Sequence, residues 1–115
     1  MTIKRIESGA RMSQAVVANG FVFLAGQVAT DPTADVTGQT RQVLGEIDRL
    51  LALAGSSKQR ILSATVYLAD IATFADMNRA WDAWVPADAK PARATVEASL
   101  AAPEYRVEIQ VTALA

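Results

Sequence analysis

The sequence contains neither cysteine nor histidine. Their absence excludes disulfides, thiolate nucleophiles and imidazole bases, and with them nearly every zinc or haem site. Any chemistry must therefore come from carboxylates, Arg, Lys, Tyr, Ser or Thr, from the backbone, or from water. No apolar run approaches the ~20 residues that span a bilayer. The opening "MTIKRIESGA" has a basic pair with no apolar stretch behind it, so neither a secretory nor a transit leader is expected, and the expected compartment is the cytoplasm. Neither sign of charge dominates. Eleven Lys and Arg stand against twelve Asp and Glu, scattered rather than gathered into a basic stripe, which argues against nucleic acid as a partner.

What is present is an ordinary globular composition, 51% hydrophobic and 20% charged over 115 residues, enough for one domain covering residues 1–115. Ile3 and Ile6 flank basic residues in a short segment that reads as an edge strand. In "QAVVANGFVFLAGQVA" two β-rich runs surround Asn19-Gly20, the dipeptide suited to a two-residue type I′ hairpin. From Asp35 to Ala54 the residues Val36, Val43, Leu44, Ile47, Leu50, Leu51 and Ala54 recur at helical spacing, with Gly55 as the terminating residue. "RILSATVYLAD" alternates, sending Leu62, Ala64, Val66 and Leu68 to one face and Ser63, Thr65 and Tyr67 to the other.

A second helix is announced by the capping-box spacing of Thr73 and Asp76 and carries Phe74, Met77, Trp81 and Val85 on one stripe until Pro86. Its aromatics read as core rather than as a cofactor platform. Two further strands, "ARATVEA" and "YRVEIQVTALA", complete the order β-β-β-α-β-α-β-β. The expectation is an α+β domain, one sheet with two helices on a single face. Two helices cover only one face, so the other meets water or another subunit.

Alternation assigns Arg93, Thr95, Glu97 and Ser99 to one side and Ala94, Val96, Ala98 and Leu100 to the other; the Arg93 row is grouped with Ser63, Thr65 and Tyr67 on a half-polar face. The pattern leaves two readings of Arg93 and Glu108 open. They form a cross-strand surface ion pair of little energetic weight, or Arg93 grips a ligand carboxylate with its planar fork while Glu108 handles a nearby water or proton.

"PARATVEA" followed by "YRVEIQVTALA" resembles the C-terminal signature of the Rid/YjgF family, the reactive intermediate deaminases. The resemblance extends to Ser13-Gln14-Ala15-Val16, Ala25-Gly26-Gln27-Val28, the Gln39-Thr40 region and "MNRAWDAW", and so covers nearly the whole chain. It implies a chorismate-mutase-like fold with a mixed six-stranded sheet, assembled as a homotrimer with ligand clefts between subunits. It also implies cofactor-free hydrolysis of enamines and imines, such as 2-aminoacrylate or 2-imino acids, to 2-keto acids and ammonia. Carried over, Arg93 holds the substrate carboxylate, Glu108 positions or activates water, and Gly26, Thr95 and Asn78 line the cleft. The chain departs from the family where many members read Gly-Pro-Tyr: here Ala10-Arg11-Met12 stands, so that Met12 occupies the place of a cleft tyrosine and points to bulkier apolar imines. That departure keeps a second function open, a trimeric small-carboxylate-binding or regulatory module without catalysis. RNA cleavage is a third, disfavoured by the absence of histidine and of a basic stripe.

Overall fold

Asn19 and Gly20 adopt φ of 52° and 80°, as a type I′ turn requires, and join the antiparallel strands β2 (Ser13–Ala18) and β3 (Phe21–Leu24). In the computed structural model, which describes residues 2–115, β1 (Ile3–Ser8) lies along the outer side of β2. The helix α1 (Val36–Leu53) follows, then β4 (Ile61–Leu68), α2 (Phe74–Trp84), β5 (Ala92–Glu97) and β6 (Val107–Leu114). The six strands form one sheet in the order β1-β2-β3-β6-β4-β5. Only β4 and β5, joined through α2, run parallel. The expected α+β architecture, a mixed six-stranded sheet with two helices, is the one observed.

Both ends of α1 are fixed by local chemistry. Asp35 caps it, its carboxylate accepting from the Gly38 N–H at 2.8 Å. At the other end Gly55 takes φ 78°, the Ser56 N–H reaches Leu51 O and the Gly55 N–H reaches Ala52 O. That pair of bonds is a Schellman motif, and the positive φ is why glycine stands there. The capping box expected for α2 does not form. Thr73 makes no side-chain cap bond; a 3-10 turn at Ile71–Thr73 precedes the helix, and Asp70 caps that turn by accepting from the Ala72 N–H.

The core lies between α1, α2 and one face of the sheet. Val43, Leu44, Ile47, Leu50 and Leu51 meet Met77 and Trp81 and the sheet residues Val22, Leu24, Val66, Leu68, Val107, Ile109 and Val111, all buried. Leu62 does not join them. A bulge between Ile61 and Ser63 shifts the alternation by one residue, so Ile61 is buried and Leu62 is 43% exposed; an extra residue in one strand changes which side chains face inward. Phe74 also leaves the expected stripe and is exposed. No helix is long and apolar enough to cross a membrane among the described residues.

Fully buried Gln39 ties the loops at one end of the sheet together. Its amide N–H groups donate to the carbonyls of Pro32, Ala34 and Glu104, and its Oε1 accepts from the Arg106 N–H. Gln39→Leu leaves these groups without partners, and since an orphaned buried polar group costs about 1–3 kcal/mol, a loss of about 3 kcal/mol in urea unfolding is expected. A loss below about 1 kcal/mol would mean that water replaces the amide.

Candidate functional site

Strand β5 is the last strand of the sheet, and its register inverts the expected facing of Arg93. Arg93 stands beside Ala64 and Thr95 beside Val66, whereas Ala94 and Val96 stand beside Thr65 and Tyr67. Ala64 and Val66 are buried under the helices, so Arg93 and Thr95 share the helix side, and Ala94 and Val96 belong to the open face. The Ala98 N–H bonds Leu68 O. Backbone alternation therefore turns the N–H groups of Arg93 and Thr95 outward, toward the free edge of the sheet.

Helix α2 builds the surroundings of the Arg93 guanidinium. The guanidinium carbon lies 4.9 Å from the ring centre of Trp81 and 5.7 Å from that of Phe74, within range of attraction to both ring faces. Nη1 donates to Asn78 Oδ1 at 2.8 Å and touches Met77 Sδ at 3.9 Å. No carboxylate lies within ion-pair distance of Arg93 among the described residues. Burial pulls its pKa below the ordinary arginine value, with the charge of Asp82 acting the other way. The result is a half-buried cation with a neutral partner, whose Nε and Nη2 donors have no protein acceptor among the described residues. Two positions along the same row, Thr95 Oγ1 is buried without a hydrogen-bond partner. Buried polar atoms are seldom left so.

Arg49 makes the contrast. Its guanidinium is bonded by Glu7 at 2.6 and 3.0 Å and by Glu46 at 3.0 and 3.1 Å, so its fork is fully engaged. The same contact holds the Glu7 carboxyl below the usual carboxylate range.

Glu108 belongs to a different group. It lies on β6 between buried Val107 and Ile109, so its side chain projects from the open face, opposite Tyr67 of β4. Its carboxylate lies over Gly26: a Cβ built there overlaps Glu108 Oε2 and comes within 2.9 Å of Cδ. Gly26 has no positive φ, so close approach rather than a strand bend accounts for this glycine. Met12 is 49% exposed in the bend between β1 and β2.

The structure thus brings Arg93, Asn78 and Thr95 together at one edge, and Gly26 with Glu108 on the open face. It does not unite the two groups within one chain. The cross-strand ion pair of Arg93 and Glu108 is not formed, because β4 separates β5 from β6 and the two side chains leave opposite faces. Met12 lies four strand spacings from β5, roughly 19 Å at ~4.8 Å per strand. Trp81, expected as core, is buried and is also part of the platform of Arg93; Phe74, expected on the same buried stripe, is exposed and supplies the second ring. Alternation places Tyr67 on a face but does not make it the neighbour of Glu108, since that pairing depends on strand order.

Comparison with known proteins covers the whole arrangement. Residues 2–115 match the family model described as Endoribonuclease L-PSP. A RutC family protein of Haemophilus ducreyi is 50% identical over 111 residues, covering 96% of this chain and 95% of that one. The RutC family protein YoaB of Escherichia coli is 47% identical over 113 residues, covering 98% of each. Among solved structures, NMB1025 of Neisseria meningitidis, a member of the YjgF protein family, superposes with a TM-score of 0.97 at 49% identity, over 99% of this chain and 95% of that one. The Rid family protein YyfA of Yersinia pestis, of unknown function, gives 0.91 at 31%, over 99% and 100%.

Proposed function

From the chain's membership of the YjgF/RutC/Rid family we propose that it is a cofactor-free hydrolase of reactive 2-imino acids and enamines, releasing a 2-keto acid and ammonia. The observation that carries this reading is Arg93, a half-buried guanidinium held by two aromatic rings and a neutral amide, with no carboxylate partner among the described residues. A buried cation without a counter-charge is costly, and an incoming carboxylate relieves that cost while accepting two parallel N–H bonds. Thr95 and its outward backbone N–H line the same edge, and Asn78 holds the guanidinium in plane.

The chemistry asks little of the protein because the substrate is electrophilic. Water adds to C2 of the iminium form as Glu108 accepts one of its protons, giving a carbinolamine. That proton returns to nitrogen, the C–N bond breaks with its electron pair leaving on nitrogen, and the hydroxyl proton goes to the departing ammonia as C=O forms. An enamine enters the same route after taking a proton at its terminal carbon. Gly26 gives the Glu108 carboxylate the room to adopt its position.

Arg93 and Glu108 act on one substrate only if two copies of the chain meet, the edge of one supplying Arg93 and the open face of the next supplying Glu108, Gly26 and Met12. Taking the trimer that the family resemblance implies, we read the active form as a homotrimer with a cleft at each junction. Supporting this are Phe21 and Phe23, exposed side by side on the open face with ring centres 6.2 Å apart, since exposed apolar patches mark contact surfaces. Phe23→Asp is expected to convert the trimer mass in light scattering to that of a monomer and to abolish hydrolysis. A wild-type monomer would sink the shared cleft.

Met12 favours one competing reading, a small-carboxylate-binding module without catalysis. A single assay separates the two. An amino acid oxidase generates imino acids in the presence of semicarbazide, and the protein competes with the trap. Lower trapped product with wild type supports hydrolysis. Calorimetric binding of 2-keto acids without any such decrease supports the binding module and rejects the hydrolase.

A further inference from the structure

On the outer surface, α1 and α2 leave a groove of about 260 Å³ lined by Arg41, Leu44, Lys58, Ala80, Ala83 and Trp84. Its floor is apolar, and two alanines three apart on α2 keep it open, since larger side chains at Ala80 and Ala83 would fill it. Trp84 walls one side, fixed by its Nε1–H donating at 2.9 Å to Asp48 Oδ2, a carboxylate that is not among the groove's lining residues. Both ionised groups lining the groove are cationic. Lys58 Nζ donates to Trp84 O at 2.7 Å and sits 5.3 Å from the Trp84 ring centre, so the ammonium is held in place with two of its three N–H donors still available. Arg41 has no carboxylate within ion-pair distance among the described residues.

We propose that this groove binds a small organic anion with an apolar body, of the aryl carboxylate class. The carboxylate meets Arg41 and Lys58, and the ring lies on Leu44 and the two alanines beside Trp84. Charge complementarity selects this occupant: an uncharged apolar molecule leaves two cations unanswered, and an inorganic anion leaves the apolar floor in water. The groove is distinct from the Arg93 cleft and its occupancy does not depend on catalysis.

The chain has two tryptophans, Trp81 at Arg93 and Trp84 at the groove, their ring centres 5.5 Å apart. Proton–nitrogen correlation spectra therefore give two indole signals, assigned with Trp84→Phe. Titration of the wild type with phenylacetate is expected to move the Trp84 signal saturably in the millimolar range, as suits so small a ligand. Arg93→Ala should bind equally well. Arg41→Gln, and Ala83→Leu as a filler on an exposed helix position, should each weaken binding about tenfold or more, and so should replacing the ligand by neutral phenylacetamide. No saturable shift in wild type, equal binding by Arg41→Gln, or loss of binding in Arg93→Ala would each overturn the assignment, the last by transferring the ligand to the cleft. None of these outcomes bears on the hydrolase reading, which the semicarbazide assay tests separately.

Discussion

Arg93→Ala is expected to lower kcat/KM for imino acid hydrolysis by about two to three orders of magnitude, or about 3–4 kcal/mol, within the range for loss of a desolvated charged contact. Most of the loss should appear in KM, because the carboxylate is gripped equally before and during attack at C2. Arg93→Lys should recover only part of it: an ammonium keeps the charge but lacks the planar fork and stacks less well on Trp81 and Phe74. Stability should change by less than about 1 kcal/mol, since the lost contacts to Asn78 and the rings are offset by no longer burying a guanidinium without a counter-charge. Burial lowers the Arg93 pKa from the ordinary arginine value, but a guanidinium stays protonated in proteins, so the pH–rate profile is expected to carry no limb from this residue. Competition with semicarbazide, run alongside thermal unfolding of each variant, reads both quantities. An alanine variant that is folded and fully active would remove Arg93 from the mechanism.

Much of the fold was legible because local chemistry and periodicity agreed. The Asn19-Gly20 hairpin, the apolar stripe of α1 and its Gly55 terminus each rest on a few neighbouring residues, and each was found where expected. Failures came where the decisive partner was distant in sequence. Alternation in "RILSATVYLAD" has no mark for the bulge at Ile61/Ser63, which only the pairing with β6 reveals. In "ARATVEA" one row is alanine and valine and the other arginine and threonine, a contrast that ordinarily puts the second row in solvent. At a sheet edge roofed by α2 the reverse holds: Arg93 and Thr95 lie beside buried Ala64 and Val66 on the helix side, and the guanidinium rests against the rings of Trp81 and Phe74. Arg93 and Glu108 were both found as candidates from their residue types and from the resemblance. That they leave opposite faces depends on the strand order β6-β4-β5, which no periodicity encodes.

Gly26→Ala separates the role of Glu108 from that of the scaffold. The added methyl overlaps the Glu108 carboxylate but asks for no unusual backbone, since Gly26 does not sit at positive φ. The atoms in its way are the far end of a flexible side chain, so the carboxylate swings aside and the fold survives, with stability expected within about 1 kcal/mol of wild type. Activity should nonetheless fall about 100-fold, the usual scale for displacing a general base from its water. The loss should lie in kcat, because the carboxylate of the substrate is still held at Arg93. Glu108→Gln should fall by a similar factor, and combining the two should cost little more than either alone, since both remove the same contact with water. Fully additive losses would mean that Gly26 serves the substrate through its own backbone and not through Glu108. Full activity in Glu108→Gln would leave the attack on C2 to bound water and backbone, with Arg93 the one side chain the reaction requires.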